Sequence, residues 1–302
     1  MVTVVICTYN RSESLSATLR SLAEMAVPPG VAWEIIVVDN NSTDDTQGVV
    51  ERFAAASGLK VRYVFEAQQG LSHARNRGIQ EAKGDIIAFT DDDVSVGKEW
   101  VAEIQKAFTR LDCLALGGRI YPTWAHSRPD WLEEEGPYAL QGPIIKFDLG
   151  DQTCEAKRLP FGANMAFKRV AFERYGLFRA DLGRTNGGLM GGEETDFFHR
   201  LRQDGEKIFY VPGAYVRHPV VEERIQRSYY QSWHFDCGRT MVRLEGRPQR
   251  AVYYFGVPRY LLREIATNVI QWLTTLDTKR RFYHKVLVYH LAGKIVEMRS
   301  SH

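Results

Sequence analysis

The chain reads as an α/β protein: a Rossmann-like, mostly parallel sheet flanked by helices, followed by a helical C-terminal extension. Three observations predict this. Four short apolar runs within about the first 110 residues each lead into a helix-type pattern, and such alternation builds parallel sheets through right-handed crossovers. Polar or acidic residues follow several of these runs directly, at the carboxyl ends where α/β sheets bind ligands. Beyond about residue 222 the periodicity becomes helical and aromatic.

The elements follow in order. Val2 to Ile6 is a β-branched strand leading through the polar loop Cys7-Thr8-Tyr9-Asn10-Arg11 into an amphipathic helix over Ser12 to Met25, closed by Pro28-Pro29-Gly30. Glu34 to Val38 is a second strand that runs into Asp39-Asn40-Asn41-Ser42-Thr43-Asp44-Asp45, where Ser42 or Thr43 is expected to cap the next helix. Val61 to Phe65 is the third strand, and Gly70 to Gly78 starts a helix that turns an arginine toward the strand ends. The fourth strand, Ile86 to Phe89, ends in Asp91-Asp92-Asp93. Leu114 to Tyr121 is another strand. Residues 122–150, rich in Trp, Pro and Glu without a clean period, are expected to form a long functional loop in which Trp124 and Trp131 either stack on a sugar ring or bury themselves. A strand and a helix near Val170 to Tyr175 follow Gly162. A glycine-rich segment, Gly187 to Gly192, delivers Glu193-Glu194-Thr195-Asp196 to a helix start, and Lys207 to Val211 returns as a strand with His218 just beyond it. Helices are expected over Arg259 to Leu273 and Lys279 to Met298.

Composition limits the function. The 302 residues suit one large domain over residues 1–220 with an appendage over 221–302. At 44% hydrophobic and 25% charged, with net charge +2, the chain is neither disordered nor suited to a general polyanion, and nucleic-acid binding is not indicated. Cys7, Cys113, Cys154 and Cys237 lie far apart with no C-x-x-C pair, which argues against a zinc site or a disulfide framework and fits a reducing, cytoplasmic compartment. Met1 to Val5 does not have the pattern of a secretory signal, and no stretch reaches the roughly 18 to 20 apolar residues of a membrane span. The basic, aromatic C-terminal helices are expected either to pack on the catalytic domain or to lie on the inner face of the plasma membrane.

The chemistry is carried by acids. Three adjacent carboxylates at the end of a buried strand repel one another, so either they face water as an acidic turn or a cation or several donors offset them. Hard oxygen ligands favour Mg²⁺ or Mn²⁺, usually shared with a substrate phosphate. Glu193 and Glu194 are either plain helix-start acids favoured by the helix dipole or acids carried by a segment that closes on substrate. His218 is either structural or a ligand.

In the family's own order, the motifs Val-Val-Ile-Cys-Thr-Tyr-Asn-Arg, Ile-Ile-Val-Val-Asp-Asn-Asn-Ser-Thr-Asp, Gly-Leu-Ser-His-Ala-Arg-Asn-Arg-Gly, Phe-Thr-Asp-Asp-Asp and Gly-Gly-Glu-Glu-Thr-Asp-Phe resemble the family 2 glycosyltransferases of GT-A fold over residues 2–218. The resemblance implies an inverting, metal-dependent transferase using a nucleotide-sugar donor, with a UDP-sugar expected first and GDP- or dTDP-sugars as alternatives. It also implies a saccharide or lipid-linked saccharide acceptor in bacterial surface polysaccharide or glycolipid synthesis. It assigns Thr8, Tyr9, Asn10 and Asp39 to the base and ribose, Arg75 to the base or diphosphate, and Gly162 and Asn164 to the donor sugar. Asp93 resembles the direct metal ligand, Asp91 or Asp92 a residue nearer the ribose or sugar, with Asp91 a second candidate ligand, and His218 the late histidine that completes metal binding. Glu193-Glu194 stands where the family commonly has Glu-Asp, so Glu194, or else Glu193, is the expected base.

Three other readings compete. A haloacid-dehalogenase-type phosphatase would need Gly-Thr or a close variant where Val94-Ser95 stands, and a nucleotidyltransferase would need a glycine-rich basic loop after the first strand. A carbohydrate-binding pseudo-enzyme would have no use for acids at every expected position.

Overall fold

The computed structural model describes residues 1–300 apart from Glu134, Gln141 and Asn186; two of these belong to the loop expected over 122–150, which is therefore described only in part. Two compact units are present. The first comprises Met1–Thr123, Ile145–Asp181 and Glu193–Pro219; the second comprises Trp124–Ile144, Leu182–Gly192 and the chain from Val220 onward.

In the first unit the chain runs β1 (Val2–Thr8), α1 (Ser12–Ala23), β2 (Trp33–Asp39), α2 (Thr46–Ser57), β3 (Val61–Phe65), α3 (Leu71–Glu81), β4 (Ile86–Asp91), β5 (Ser95–Val96), α4 (Trp100–Arg110) and β6 (Ala115–Trp124). It continues with β7 (Cys154–Glu155), β8 (Asn164–Lys168), α5 (Arg169–Tyr175), α6 (Glu193–Gln203) and β9 (Ile208–Val220). The sheet order is β3-β2-β1-β4-β8-β6-β9-β5, with β7 on β9. The first four strands pair in parallel, whereas β8 is antiparallel to β4. Val2, Val4, Val5 and Ile6 of β1 are all fully buried, as a strand covered on both faces requires. Gly78 of α3 lets that helix lie close to β1, since a Cβ there would fall 2.4 Å from a Val5 methyl. Phe89, Phe167, Phe172, Phe178 and Phe197 interlock by edge and stacked contacts, joining β4, β8, α5 and α6 into one core.

Three local expectations need correcting. Neither Ser42 nor Thr43 caps α2: its N-cap is Asp45, and the first turn holds no acid. Ser42 instead accepts a hydrogen bond from the Asn10 amide, and Thr43 donates its amide to the Asn10 side chain, so this loop is tied to the β1 loop rather than to its own helix. His218 lies within a strand, because β9 continues to Val220 through both Pro212 and Pro219.

The second unit contains a short 3₁₀ turn (Glu222–Ile225), α7 (Arg227–Glu245), a hairpin of β10 (Tyr253–Tyr254) and β11 (Val257–Pro258), α8 (Arg259–Thr274) and α9 (Thr278–Ser300). Periodicity had indicated α8 and α9 but neither α7 nor the hairpin. Gly238 of α7 and Gly293 of α9 let the two backbones touch, because a Cβ at either would lie about 2 Å from the other helix's carbonyl oxygen. Glu297 clamps the same pair, accepting from Arg239 at 3.0 Å and from Arg243 at 2.6 Å. Trp131 is half-buried against Tyr230 and Phe282, and Trp124 packs on the same cluster. Of the two uses open to these tryptophans, the structure shows burial. Among the described residues, no helix is long and apolar enough to cross a membrane.

Candidate active site

Strand register assembles the site. Parallel pairing sets Thr8 beside Asp39 and Cys7 beside Asp91, so the polar ends of β1, β2 and β4 share one edge of the sheet. On that edge Asp39 is buried, accepting from the Ser42 amide at 2.9 Å and from the Tyr63 hydroxyl at 2.7 Å. Asn10 adopts φ 51°, a left-handed conformation that asparagine tolerates, and its side chain accepts from the Thr43 amide at 2.7 Å. Asp44 joins this loop to the start of α1 through the Ser12 amide. Burial alone would raise its carboxyl, but bonds from Thr46 and Ser12 outweigh it and hold Asp44 below the usual range. Tyr9 is half-buried in the same loop.

The three aspartates divide. Asp92 turns inward, 4% exposed, and accepts from Thr8 Oγ1 at 2.7 Å and from Arg11 Nη1 at 2.9 Å. Burial pushes its carboxyl up to about 6, with Arg11 opposing and Asp93 adding to the shift. Arg11 also reaches Asp93 at 3.0 Å, so one guanidinium offsets two neighbouring acids. Asp91 and Asp93 instead face His218, whose Nε2 lies 3.8 Å and 3.4 Å from their oxygens; the three ligand atoms fall within 4.8 Å of one another. Antiparallel pairing of Ser95 with Arg217 explains this meeting, since one step further His218 comes level with Val94.

This cluster fits a divalent cation on its own chemistry. Two carboxylates and an imidazole form a hard, mixed O/N set of the kind that takes Mn²⁺ or Mg²⁺. His218 Nδ1 lies 3.1 Å from the Pro219 carbonyl, which can only accept, so that bond orients the ring with Nε2 toward the acids. Nε2 and the two carboxylates thus converge on one point, where a cation would take all three as ligands.

The acids of α6 reach the same place through one arginine. Arg75 is 4% exposed; it pairs with Glu193 and approaches Asp91 at 3.9 Å. Burial, then the neighbouring Glu194, raise the Glu193 carboxyl well above the usual range against the pull of Arg75. One oxygen each of Glu193 and Glu194 is buried without a hydrogen-bond partner among the described residues. Glu194, Glu193, Arg75, Asp91, His218 and Asp93 therefore form one contiguous run of side chains.

Two residues expected at the donor sugar also have internal roles in the fold. Asn164 is 1% exposed, and its amide is spent internally: it donates to the Arg119 and Ala214 carbonyls and accepts from Trp100 Nε1 at 2.9 Å. It holds three strands in place and has no free group to offer a sugar. Gly162 makes room for Arg75, since a Cβ there would lie 2.1 Å from the guanidinium. Arg11 and Tyr63 were not singled out from sequence. Arg11 could have been, as the cation of a loop that faces three acids; Tyr63 sits at an ordinary strand position with nothing to mark it.

Comparison with known proteins places this geometry. A family model for glycosyl transferase family 2 matches residues 3–176. The succinoglycan biosynthesis protein ExoM of Rhizobium meliloti is 29% identical over 244 residues, covering 80% of this chain and 74% of that protein. The glucosyl-dolichyl phosphate glucuronosyltransferase of Haloferax volcanii is 28% identical over 242 residues, covering 77% and 75%. In fold, the chain is similar over its full length to the mannosyltransferase PcManGT of Pyrobaculum calidifontis, solved with GDP-Man and Mn²⁺, at TM-score 0.66, 19% identity and 88% coverage of that chain. With the family model spanning more than half of the chain and a metal-ligating triad at the edge of a GT-A sheet, the chain belongs to the family 2 glycosyltransferases and is a metal-dependent enzyme acting on a nucleotide-sugar donor.

Proposed function

We propose that the enzyme transfers a sugar from a nucleoside diphosphate sugar to an acceptor hydroxyl in a single displacement that inverts the anomeric centre. The observation that carries this is the unbroken run from the α6 acids to the triad, because a base and a phosphate-holding cluster must meet at one reacting carbon. Thr8, Tyr9, Asn10 and Asp39 would hold the base and ribose, and Asp91, Asp93 and His218 the cation. A divalent ion there supplies neutralisation of the charge that grows on the leaving diphosphate.

Glu194 is the better candidate for the base. Glu193 spends one oxygen on Arg75, whereas Glu194, beside it on the same helix turn, has no ion pair among the described residues; each keeps one buried oxygen without a donor. It would accept the acceptor's proton as the oxygen attacks. Arg75 would hold Glu193 and so fix the start of α6 against Asp91.

The names of two relatives, one in succinoglycan biosynthesis and one acting on glucosyl-dolichyl phosphate, support a saccharide or lipid-linked saccharide acceptor in surface polysaccharide or glycolipid assembly on the cytoplasmic side. Residues 1–220 would carry donor binding and catalysis, and residues 221–302 the acceptor side. A thermal-shift screen of UDP-, GDP- and dTDP-sugars with and without Mn²⁺ identifies the donor, since a ligand of the native state raises apparent stability by mass action. NMR of the product then tests inversion. A product that retains the donor's anomeric configuration excludes the single displacement.

A further inference from the structure

We infer that the β10–β11 hairpin tip and the exposed side of α8 form a docking surface for an anionic lipid bilayer. The two features belong to the same unit. Of the eleven large hydrophobic side chains exposed among the described residues, eight fall between Val252 and Val296. They are concentrated where a soluble domain has least reason to keep them.

The hairpin tip carries the strongest signal. Phe255 and Gly256 occupy the two central turn positions at φ 50° and 78°, a geometry that favours Asn-Gly. A phenylalanine there is strained, and it is 90% exposed. It lies outside the core, so its ring is available for a contact outside the chain.

Helix α8 adds a second line of evidence. Its inward side is formed by Leu261, Leu262 and Ile265 packed on α9 and the hairpin. Its outward side nevertheless carries Tyr260, Arg263, Ile270 and Leu273 at helical spacing, and Leu276 just past the helix end is 94% exposed. A helix with apolar residues on both sides suits an interface with lipid. Its 16 residues span about 24 Å. Phe255 precedes one end and Leu276 follows the other, which suits a broad planar partner rather than a cleft.

Charge selects the occupant. Residues 247–299 hold ten Lys and Arg against three Asp and Glu, a net of +7, while the whole chain carries only +2. Two copies of such a surface repel each other, and a neutral saccharide has no use for the charge. Anionic headgroups above an acyl boundary match both the basic residues and the apolar tips. This deepens the proposed role, because a lipid-linked acceptor lies in such a bilayer.

The test is flotation of the full chain, without donor, on phosphatidylcholine vesicles containing about one-third phosphatidylglycerol, against phosphatidylcholine alone. The intact chain is expected to float with the anionic vesicles. Phe255→Ser with Leu276→Ser should weaken partitioning by about tenfold or more at any salt, as expected for losing two buried apolar side chains. Arg263→Glu with Arg281→Glu should weaken it at low salt and less at high salt. All four positions are exposed, so donor binding and thermal unfolding should match the intact chain. An intact chain that stays unbound, or an apolar double variant that floats like it, overturns the inference. Concentration-dependent self-association abolished by Phe255→Ser with Leu276→Ser, without vesicle binding, would mark a contact between copies and overturn it equally. Flotation without any nucleotide-sugar binding would instead refute the proposed function and leave the docking surface standing.

Discussion

Replacing Arg75 by methionine tests the join between the α6 acids and the metal-ligating triad. In the native protein the guanidinium and the Glu193 carboxylate are each at most 5% exposed in the side chain, and removing one partner of such a buried pair costs about 3–5 kcal/mol. The cost should depend on pH. Arg75 is the charge that opposes the upward shift of Glu193 due to burial and Glu194, so without it the folded-state carboxyl rises further above its unfolded value of about 4.3. A carboxyl raised on folding removes stability as pH climbs above the unfolded value, at about 1.4 kcal/mol per unit until the folded value is passed. Urea unfolding should therefore show a deficit for Arg75→Met that is steady from pH 5 to about 7, where both folded proteins keep Glu193 protonated, and that grows by about 1.4 kcal/mol per unit above pH 7. Adding Glu193→Gln should remove the growth above pH 7, since no buried carboxyl remains to ionise. A deficit that does not grow above pH 7, or a growth the second substitution leaves untouched, refutes the idea that Arg75 acts by balancing Glu193.

Other outcomes follow from the same geometry. Glu194→Gln should lower kcat by about 10² to 10⁴ while leaving nucleotide affinity unchanged, measured by steady-state kinetics beside calorimetric titration; Glu193→Gln should cost less, because a neutral amide can still accept from Arg75. Tyr63→Phe removes the 2.7 Å bond that orients Asp39 and should weaken nucleotide binding by about 0.5–1.5 kcal/mol without changing kcat at saturation. Glu297→Ala should lose about 1–3 kcal/mol at pH 7, reduced from the fully buried case because Arg239 and Arg243 are about 30% exposed. Burial would raise the Glu297 carboxyl, but bonds from Arg243 and Arg239 outweigh it and depress it. Its contribution is thus present above pH about 4.3 and fades as pH falls through the lower folded value, so variant and parent should converge in acid-unfolding curves.

Much of the first unit was legible because burial on both faces of a parallel sheet leaves continuous β-branched runs, and β1 to β4 fell where those runs stood. The acids were legible for the same reason, as charges ending apolar strands. Side-chain direction was not. Nothing in Asp91-Asp92-Asp93 says that the middle carboxyl turns in to Thr8 and Arg11 while its neighbours meet a histidine 125 residues on; that depends on the β5–β9 register. Asn164 misled in the opposite sense, since a polar residue in a loop-like string proved to be a strand residue with every amide group used internally. Helix α7 escaped notice because its buried positions include Gly238 and Thr240, so close backbone packing replaces the apolar stripe that periodicity detects.

Asp91, Asp93 and His218 are proposed to hold a divalent ion shared with the donor's diphosphate. Calorimetric titration of Mn²⁺ into the enzyme, with and without the nucleoside diphosphate found by the donor screen, addresses it directly. Linkage requires each ligand to tighten the other by the same factor, and Asp93→Asn or His218→Ala should abolish that mutual gain. Nucleotide affinity indifferent to Mn²⁺ in the intact enzyme, or a mutual gain that survives both substitutions, would exclude a shared ion at these three residues.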